Sequence, residues 1–120
     1  MNIQKSWKKD AINHAINCYP EESCGLVAKK NNKELFWKCK NIAHDFKLEA
    51  FVVDPEDWMK CEDEVDEIVG IVHNHPDGEL QFSETDKISC KELDLTFYLV
   101  DLNSKRMIKI EPKEVKCLEK

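Results

Sequence analysis

Segments with helical periodicity and short apolar runs alternate along this chain without a linker between them, and this alternation constrains its fold more than any other feature. Apolar residues recur at helical spacing over residues 3–18, and Tyr19-Pro20 ends that helix. Helix-start signals at Asp54-Pro55 and Ser83 predict two more helices. Strands are predicted at residues 24–28, 34–39, 51–53, 68–73, 96–100 and 107–110. The pattern predicts a mixed α/β domain, a sheet covered by about three helices.

Length and charge further restrict the domain organisation and the partners that this chain can have. A chain of 120 residues fits one domain, which we assign to residues 1–110, with a mostly charged tail at 111–120. The net charge is −6 and lysines cluster only in pairs, which argues against a nucleic-acid partner. The start lacks the apolar stretch of a secretion signal, and no apolar run approaches the ~18 residues of a membrane span. We therefore expect a cytoplasmic protein without a membrane partner.

The cysteines are numerous but do not form a metal or redox motif. There are six, and none belongs to a C-x-x-C pair, which excludes zinc-finger and thioredoxin patterns. Without secretion, the thiols are expected to be reduced and mostly buried.

Chemistry concentrates after the predicted strand at 68–73. There the sequence reads His73-Asn74-His75-Pro76, then six further residues, then Ser83-Glu84-Thr85-Asp86. Residues two apart on an extended segment point the same way, so His73 and His75 are presented together. Asp86, one turn into the next helix, can supply a third ligand. Two histidines and one carboxylate leave a coordination position for water, the pattern of a catalytic zinc.

Less specific explanations exist for each part of this pattern. A His-x-His pair on a strand is often surface decoration, and Ser83 with Asp86 is also a helix-capping pair. The capping role is compatible with metal binding, because a cap can orient Asp86. The joint pattern H-x-H-P-x6-S-x-x-D arises by chance in roughly one chain in 10⁵ of this length. The combination therefore favours the metal site.

This pattern resembles the JAMM (MPN-plus) metalloprotease family of zinc enzymes, which cleave peptide or isopeptide bonds on a cytidine-deaminase-like α/β fold. The family's P-x-E-x-C-G stretch before the first core strand matches Pro20 to Gly25 and aligns on Glu22 rather than Glu21. The similarity covers about residues 14–110, so the resemblance implies this fold for nearly the whole chain.

The resemblance also implies the roles of individual residues. His73, His75 and Asp86 would hold one zinc ion, and Glu22 would be the general acid/base acting on a zinc-bound water. Ser83 would donate a hydrogen bond that steadies the water or the developing oxyanion. The expected activity is hydrolysis of a peptide or isopeptide bond in a protein substrate.

Details outside the zinc motif are similar to the N-terminal domain of bacteriophage tail assembly proteins of the K family. They are the segment 53–57, the strand at 70–76, and Cys90 followed by residues 96–100. In those proteins an NlpC-type cysteine peptidase domain usually follows. The resemblance implies tail proteins or an NlpC-type peptidase as partners, and the virion tail as a second location. Two alternatives stay open: a non-catalytic tail-tip assembly module, and a stand-alone hydrolase of ubiquitin-like or sulfur-carrier conjugates.

Two departures from the family pattern are visible. The family usually has Ser or Thr between the histidines, where this chain has Asn74, and often Pro before the serine, where it has Phe82. Asn74 lies between ligands on the strand, so it should face away from the metal and act at most indirectly. Phe82 changes the stiffness of the loop but leaves the ligand set intact.

Other chemistries fit the sequence less well. The letters His-Asn-His at 73–75 spell a nuclease motif, but those nucleases spread the residues over a much longer finger. Deaminases of this fold need a P-C-x-x-C zinc pair, which is missing. Cys24 with His14 could suggest a thiol nucleophile, but Cys24 begins an apolar strand and is expected to be a core thiol.

Overall fold

A computed structural model describes residues 2–43, 51–76 and 78–116. The helices are α1 (Lys8–Cys18), α2 (Pro55–Glu64) and α3 (Glu84–Leu93), and the strands are β1 (Cys24–Lys30), β2 (Lys33–Cys39), β3 (Glu67–Asn74), β4 (Thr96–Val100) and β5 (Met107–Ile110), followed by a 3-10 turn at Pro112–Glu114. None of the helices in these ranges has the length and apolar character that a bilayer crossing requires. The mixed α/β fold with three helices is confirmed.

The five strands form one sheet in the order β2-β1-β3-β4-β5. β3 and β4 are parallel and joined through α3, whereas the other neighbours are antiparallel. Asn31 and Asn32 form the β1–β2 turn with φ values of 54° and 66°, the left-handed backbone that a tight hairpin requires. β3 lies between β1 and β4, so its end is flanked by two other elements.

Alternating side chains of the strands divide the core into two layers. On one face, Val27, Val72 and Tyr98 pack with Trp7 and Ala11 of the N-terminal region. The other face packs against residues of α2 and α3, including Cys61 and Cys90. Of the five cysteines in the described ranges, four are buried and all are free thiols, as expected.

Glycine at position 70 is explained by a close approach between β3 and β4. A Cβ atom at Gly70 would lie 2.8 Å from the backbone oxygen of Thr96. Backbone atoms cannot yield as a flexible side chain can, so this interruption of the apolar strand allows the two strands to pair.

In three segments the structure differs from what the sequence predicts. The first helix begins at Lys8 rather than residue 3, because the Ile3 amide donates to the Met107 carbonyl and the chain start follows β5. The strand predicted at 51–53 is wrong: Asp54 caps α2 directly after it, and among the described residues this segment forms a single isolated bridge, Asn41 with Val53. The charged tail predicted at 111–120 includes one residue of the core, Val115, which is 8% exposed.

Candidate metal centre

The end of β3 and the start of α3 bring the three predicted ligands together. Nε2 of His73 lies 3.2 Å from Oδ2 of Asp86, and Nε2 of His75 lies 3.3 Å from the same oxygen. One ligand atom from each residue can be chosen so that all three lie within 4.8 Å of one another. The period-two geometry of the strand presents both imidazoles to one side, as the sequence indicated.

The first turn of α3 fixes the carboxylate. Asp86 N donates to Oγ of Ser83, and Ser83 N donates to Oδ2 of Asp86, both at 3.0 Å, which completes a capping box. The capping pair expected from the sequence is therefore present. It orients Asp86 from the helix side while the two histidines approach it from the strand side.

Protonation states at the centre suit metal binding. Burial lowers the pKa of His73, so its imidazole is neutral, whereas the contact with Asp86 raises the pKa of His75. Burial alone would raise the pKa of Asp86, but the contacts from the two histidines outweigh it and lower that pKa, which keeps the carboxylate ionised. A cation would replace the proton that His75 shares with Asp86.

The buried ring of His73 tests whether these residues fit a metal. The residue is 0% exposed, and neither ring nitrogen makes a hydrogen bond of good geometry with the described residues. A buried polar atom without a partner costs about 1–3 kcal/mol, and coordination by Nε2 would remove that cost for one nitrogen. The ring stacks on Phe51 with centroids 4.6 Å apart, which holds its orientation. Two imidazoles and a carboxylate are a donor set that zinc accepts.

Glu22 lies two residues before the start of β1 and faces the same centre. The β1–β3 ladder pairs Cys24 with His73, so alternation along the chain places Glu22 on the side of the histidines. The residue is 6% exposed, and burial raises its pKa to about 7, with a further contribution from the charge of Asp86 and an opposing one from His75. A carboxyl group that titrates near neutrality can both accept and donate a proton.

An open cleft of about 760 Å³ gives access to this centre. Glu22, His75, Ser83 and Asp86 line one part of it. The remaining lining is mainly apolar and includes Phe51, Val53, Trp58, Ile71, Leu93 and Phe97. Its volume falls within the range of ligand-binding pockets, so a substrate segment can reach the polar end.

Several residues near the centre were not predicted from the sequence. Asn41 Nδ2 donates to the Glu22 carbonyl at 3.0 Å, and Phe51 covers His73. Asn41 follows β2 and Phe51 precedes α2, and no motif distinguishes either residue. Asn74 was expected to face away from the metal, and its side-chain oxygen indeed accepts hydrogen bonds from Ser23 on the other face of the sheet.

The alternative thiol site is not supported by the structure. Cys24 is 1% exposed, and burial raises the pKa of its thiol far above neutrality. Nε2 of His14 lies 3.1 Å from the carbonyl oxygen of Cys39. The thiol that the His14 ring contacts is that of Cys18, not that of Cys24. Cys24 is thus a core thiol, as the sequence analysis expected.

The fold and this centre together define a JAB/MPN-type domain with a group of residues that could bind a metal ion. The chain belongs to the family of prokaryotic homologs of the JAB domain, whose sequence profile matches residues 4–113. It is 37% identical over 108 residues to "Tail tip assembly protein K" of Escherichia phage N15. That match covers 89% of this chain and 44% of the relative, so the chain spans less than half of that protein's length.

Solved structures agree with the fold. A solution structure of protein DSY2949 from Desulfitobacterium hafniense matches with a TM-score of 0.67 and 19% identity, covering 88% of this chain and 78% of that one. A JAB1/MPN domain protein from Archaeoglobus fulgidus matches with a TM-score of 0.60 and 17% identity, and the match covers 95% of this chain and 92% of that one. A structure of the JAMM metalloprotease-like zinc site in the proteasome and signalosome matches with a TM-score of 0.55 and 16% identity. This match covers 89% of this chain and 82% of that one.

Proposed function

We propose that this protein is a zinc-dependent hydrolase of peptide or isopeptide bonds. The observation that carries the proposal is the position of Glu22, a buried carboxyl group whose pKa is raised to about 7, on the same cleft as the His73, His75 and Asp86 group. A purely structural metal site needs no titratable group of this kind beside it. A general acid/base does, because its pKa should lie near the working pH.

The three ligand residues would hold the zinc ion. When bound, zinc supplies Lewis acidity, which lowers the pKa of water to about 7 and polarises a carbonyl group. Glu22 then accepts a proton from the attacking water and delivers it to the departing amine nitrogen. Burial suits Glu22 to both tasks, since it brings the proton affinities of the carboxylate and of its partners closer together.

Ser83 would assist at the carbonyl oxygen of the substrate. Its Oγ accepts the Asp86 amide, so its own hydroxyl proton remains available for donation into the cleft. A donor that meets the oxygen as negative charge develops stabilises the transition state more than the ground state. The apolar lining of the cleft would hold the substrate side chains that flank the scissile bond.

The decisive experiment compares Glu22→Gln with the matched variant Glu21→Gln. Both remove one carboxylate from the same turn, but only Glu22 lines the cleft. Glu22→Gln should keep stoichiometric zinc and lose about 10²- to 10⁴-fold in turnover, whereas Glu21→Gln should retain both. Suitable substrates are ubiquitin-like and sulfur-carrier fusions, peptidoglycan stem peptides and phage tail proteins. Loss of zinc together with activity in Glu22→Gln would show that Glu22 is a ligand or a structural residue.

A second candidate function is an assembly module of a phage tail tip, which binds tail proteins or an NlpC-type peptidase without hydrolysis. The specific observation in its favour is the 37% identity to a protein named for tail tip assembly. This function would place the chain in the cytoplasm of an infected bacterium or in the virion tail. A zinc-loaded protein that binds tail components and cleaves none of the substrates above would favour it over the hydrolase.

A further inference from the structure

Asn74, the residue between the two candidate histidine ligands, makes specific contacts on the opposite face of the sheet. Its Oδ1 accepts hydrogen bonds from the backbone N–H of Ser23 at 2.8 Å and from the Ser23 hydroxyl at 2.7 Å. Asn74 is 0% exposed and Ser23 is 4% exposed, so water does not compete for these bonds. The two residues are 51 positions apart in the chain, and the contact is tertiary.

These bonds lie where the regular ladder between β1 and β3 has ended. The last pair of that ladder is Cys24 with His73, and Ser23 belongs to no strand. At the next position, Ser23, the backbone N–H donates to the Asn74 side-chain oxygen, whereas within the ladder it would donate to a backbone carbonyl. The Asn74 side chain therefore extends the pairing between the β1 segment and β3 by one residue, to Ser23, which directly follows Glu22.

The contact links the two halves of the candidate site through the backbone. Ser23 and Glu22 are successive, so their side chains point to opposite faces, and fixing Ser23 on one face fixes Glu22 on the other. Asn74 is likewise preceded and followed by His73 and His75. One pair of hydrogen bonds thus ties the backbone next to Glu22 to the strand segment that carries both imidazoles.

The amide at this buried position also makes one unfavourable contribution to folding. Nδ2 of Asn74 has no hydrogen-bond partner among the described residues, and a buried donor without an acceptor opposes folding. Leucine has nearly the same shape and would carry no such donor. What leucine cannot do is accept the two hydrogen bonds of Ser23.

We propose that Asn74 is a positioning residue that holds Glu22 beside the metal centre through its hydrogen bonds to Ser23. The inference rests on the proposed role of Glu22 as general acid/base. Asn41 Nδ2 also donates to the Glu22 carbonyl, a hydrogen bond in which Asn74 takes no part.

The test follows the Glu22 carboxyl group by NMR and needs no substrate. Metal-free protein labelled with ¹³C at the glutamate Cδ is titrated, and the Glu22 signal is assigned from its absence in Glu22→Gln. In the wild type its pKa should be about 7. Asn74→Leu should free Glu22 to reach solvent and lower that pKa toward the ordinary value of 4.5. Asn74→Asp keeps an acceptor of the same shape and adds a negative charge, so it should leave the pKa raised.

The opposite responses of the leucine and aspartate variants separate positioning from stability. A residue with a merely structural role would lower the unfolding midpoint in Asn74→Leu and leave the Glu22 titration unchanged, which would overturn the proposal. Ser23→Ala removes one of the two donors and is the second variant. It should shift the Glu22 signal less and in the same direction as leucine, and if Asn74→Leu does not fold, an unchanged signal in Ser23→Ala overturns the proposal.

Activity, once a substrate is found, gives an independent readout. Asn74→Leu should retain stoichiometric zinc and lose about 10- to 100-fold in kcat with little change in KM, because the substrate contacts remain. Failure to find any hydrolysis would refute the proposed function but would leave the NMR result intact. The two failures are therefore distinguishable.

Discussion

Replacing the proposed acid/base should make the metal-free protein more stable, by an amount that grows as the pH rises above 4.5. Glu22 is 6% exposed, and its pKa rises from 4.5 to about 7 on folding. The folded state therefore binds a proton more tightly than the unfolded state does. For an acid shifted in this direction, the penalty is absent below the unfolded pKa, grows between 4.5 and about 7, and is complete above that range.

The magnitude follows from the two pKa values. The raised pKa of Glu22 lowers the unfolding free energy by about 1 kcal/mol at pH 5 and about 3 kcal/mol at pH 8. Glutamine has the same shape and does not ionise, so Glu22→Gln should escape this cost. The difference in unfolding free energy between variant and wild type should grow by about 2 kcal/mol from pH 5 to pH 8.

Urea unfolding with a chelator and a reductant measures this difference. With a slope of roughly 2 kcal/mol per molar, the variant's advantage in midpoint should grow by about 1 M between the two pH values. Any constant gain or loss from the amide's own contacts cancels in the comparison. Glu21→Gln supplies the control. A difference between Glu22→Gln and wild type that does not change with pH would refute the argument that burial of an ionised Glu22 is costly.

Other predictions address the ligands, the cap and the sheet. Zinc should raise the melting temperature of the wild type by mass action, and His75→Ala should abolish both this shift and tight binding by equilibrium dialysis; stoichiometric zinc in the variant would contradict the ligand assignment. Ser83→Ala should lose about 1 kcal/mol of stability from the α3 cap as well as turnover, whereas Ser83→Asp should restore the cap but not the donor; recovered turnover in the aspartate variant would exclude the donor role. Gly70→Ala should cost about 1–3 kcal/mol in denaturant unfolding because its Cβ meets a backbone oxygen, and an unchanged midpoint would show that β4 moves freely.

The parts of the fold that the sequence predicted well depend on local patterns. The H-x-H-P segment and the S-x-x-D segment each act within a few residues, through strand alternation and helix capping. Asp54 with Pro55 likewise specified the start of α2 without tertiary information. Signals of this kind are readable because the groups that satisfy them lie within one turn of the same element.

The parts that could not be predicted depend on distant partners. The first residues continue along β5 rather than as helix because Asn2 and Ile3 bond to Met107, more than a hundred positions away. The choice of Glu22 over Glu21 came from family resemblance, since only burial distinguishes the two adjacent carboxylates. The contact between Asn74 and Ser23 also has no local signature, because it exists only after β1 and β3 have paired.

The distribution of unfavourable burial bears on the choice between hydrolase and assembly module. Within the described ranges, the buried side-chain nitrogen and oxygen atoms that lack a hydrogen-bond partner belong to His73 and Asn74, and the buried Glu22 faces the same centre as His73. Each of these groups opposes folding on its own. An assembly module could keep the fold and its outer surface without a titratable carboxyl group buried in the cleft, so Glu22→Gln should leave binding of tail proteins unchanged if assembly is the function. A hydrolase needs that group, so in a hydrolase Glu22→Gln should lose turnover while it gains stability.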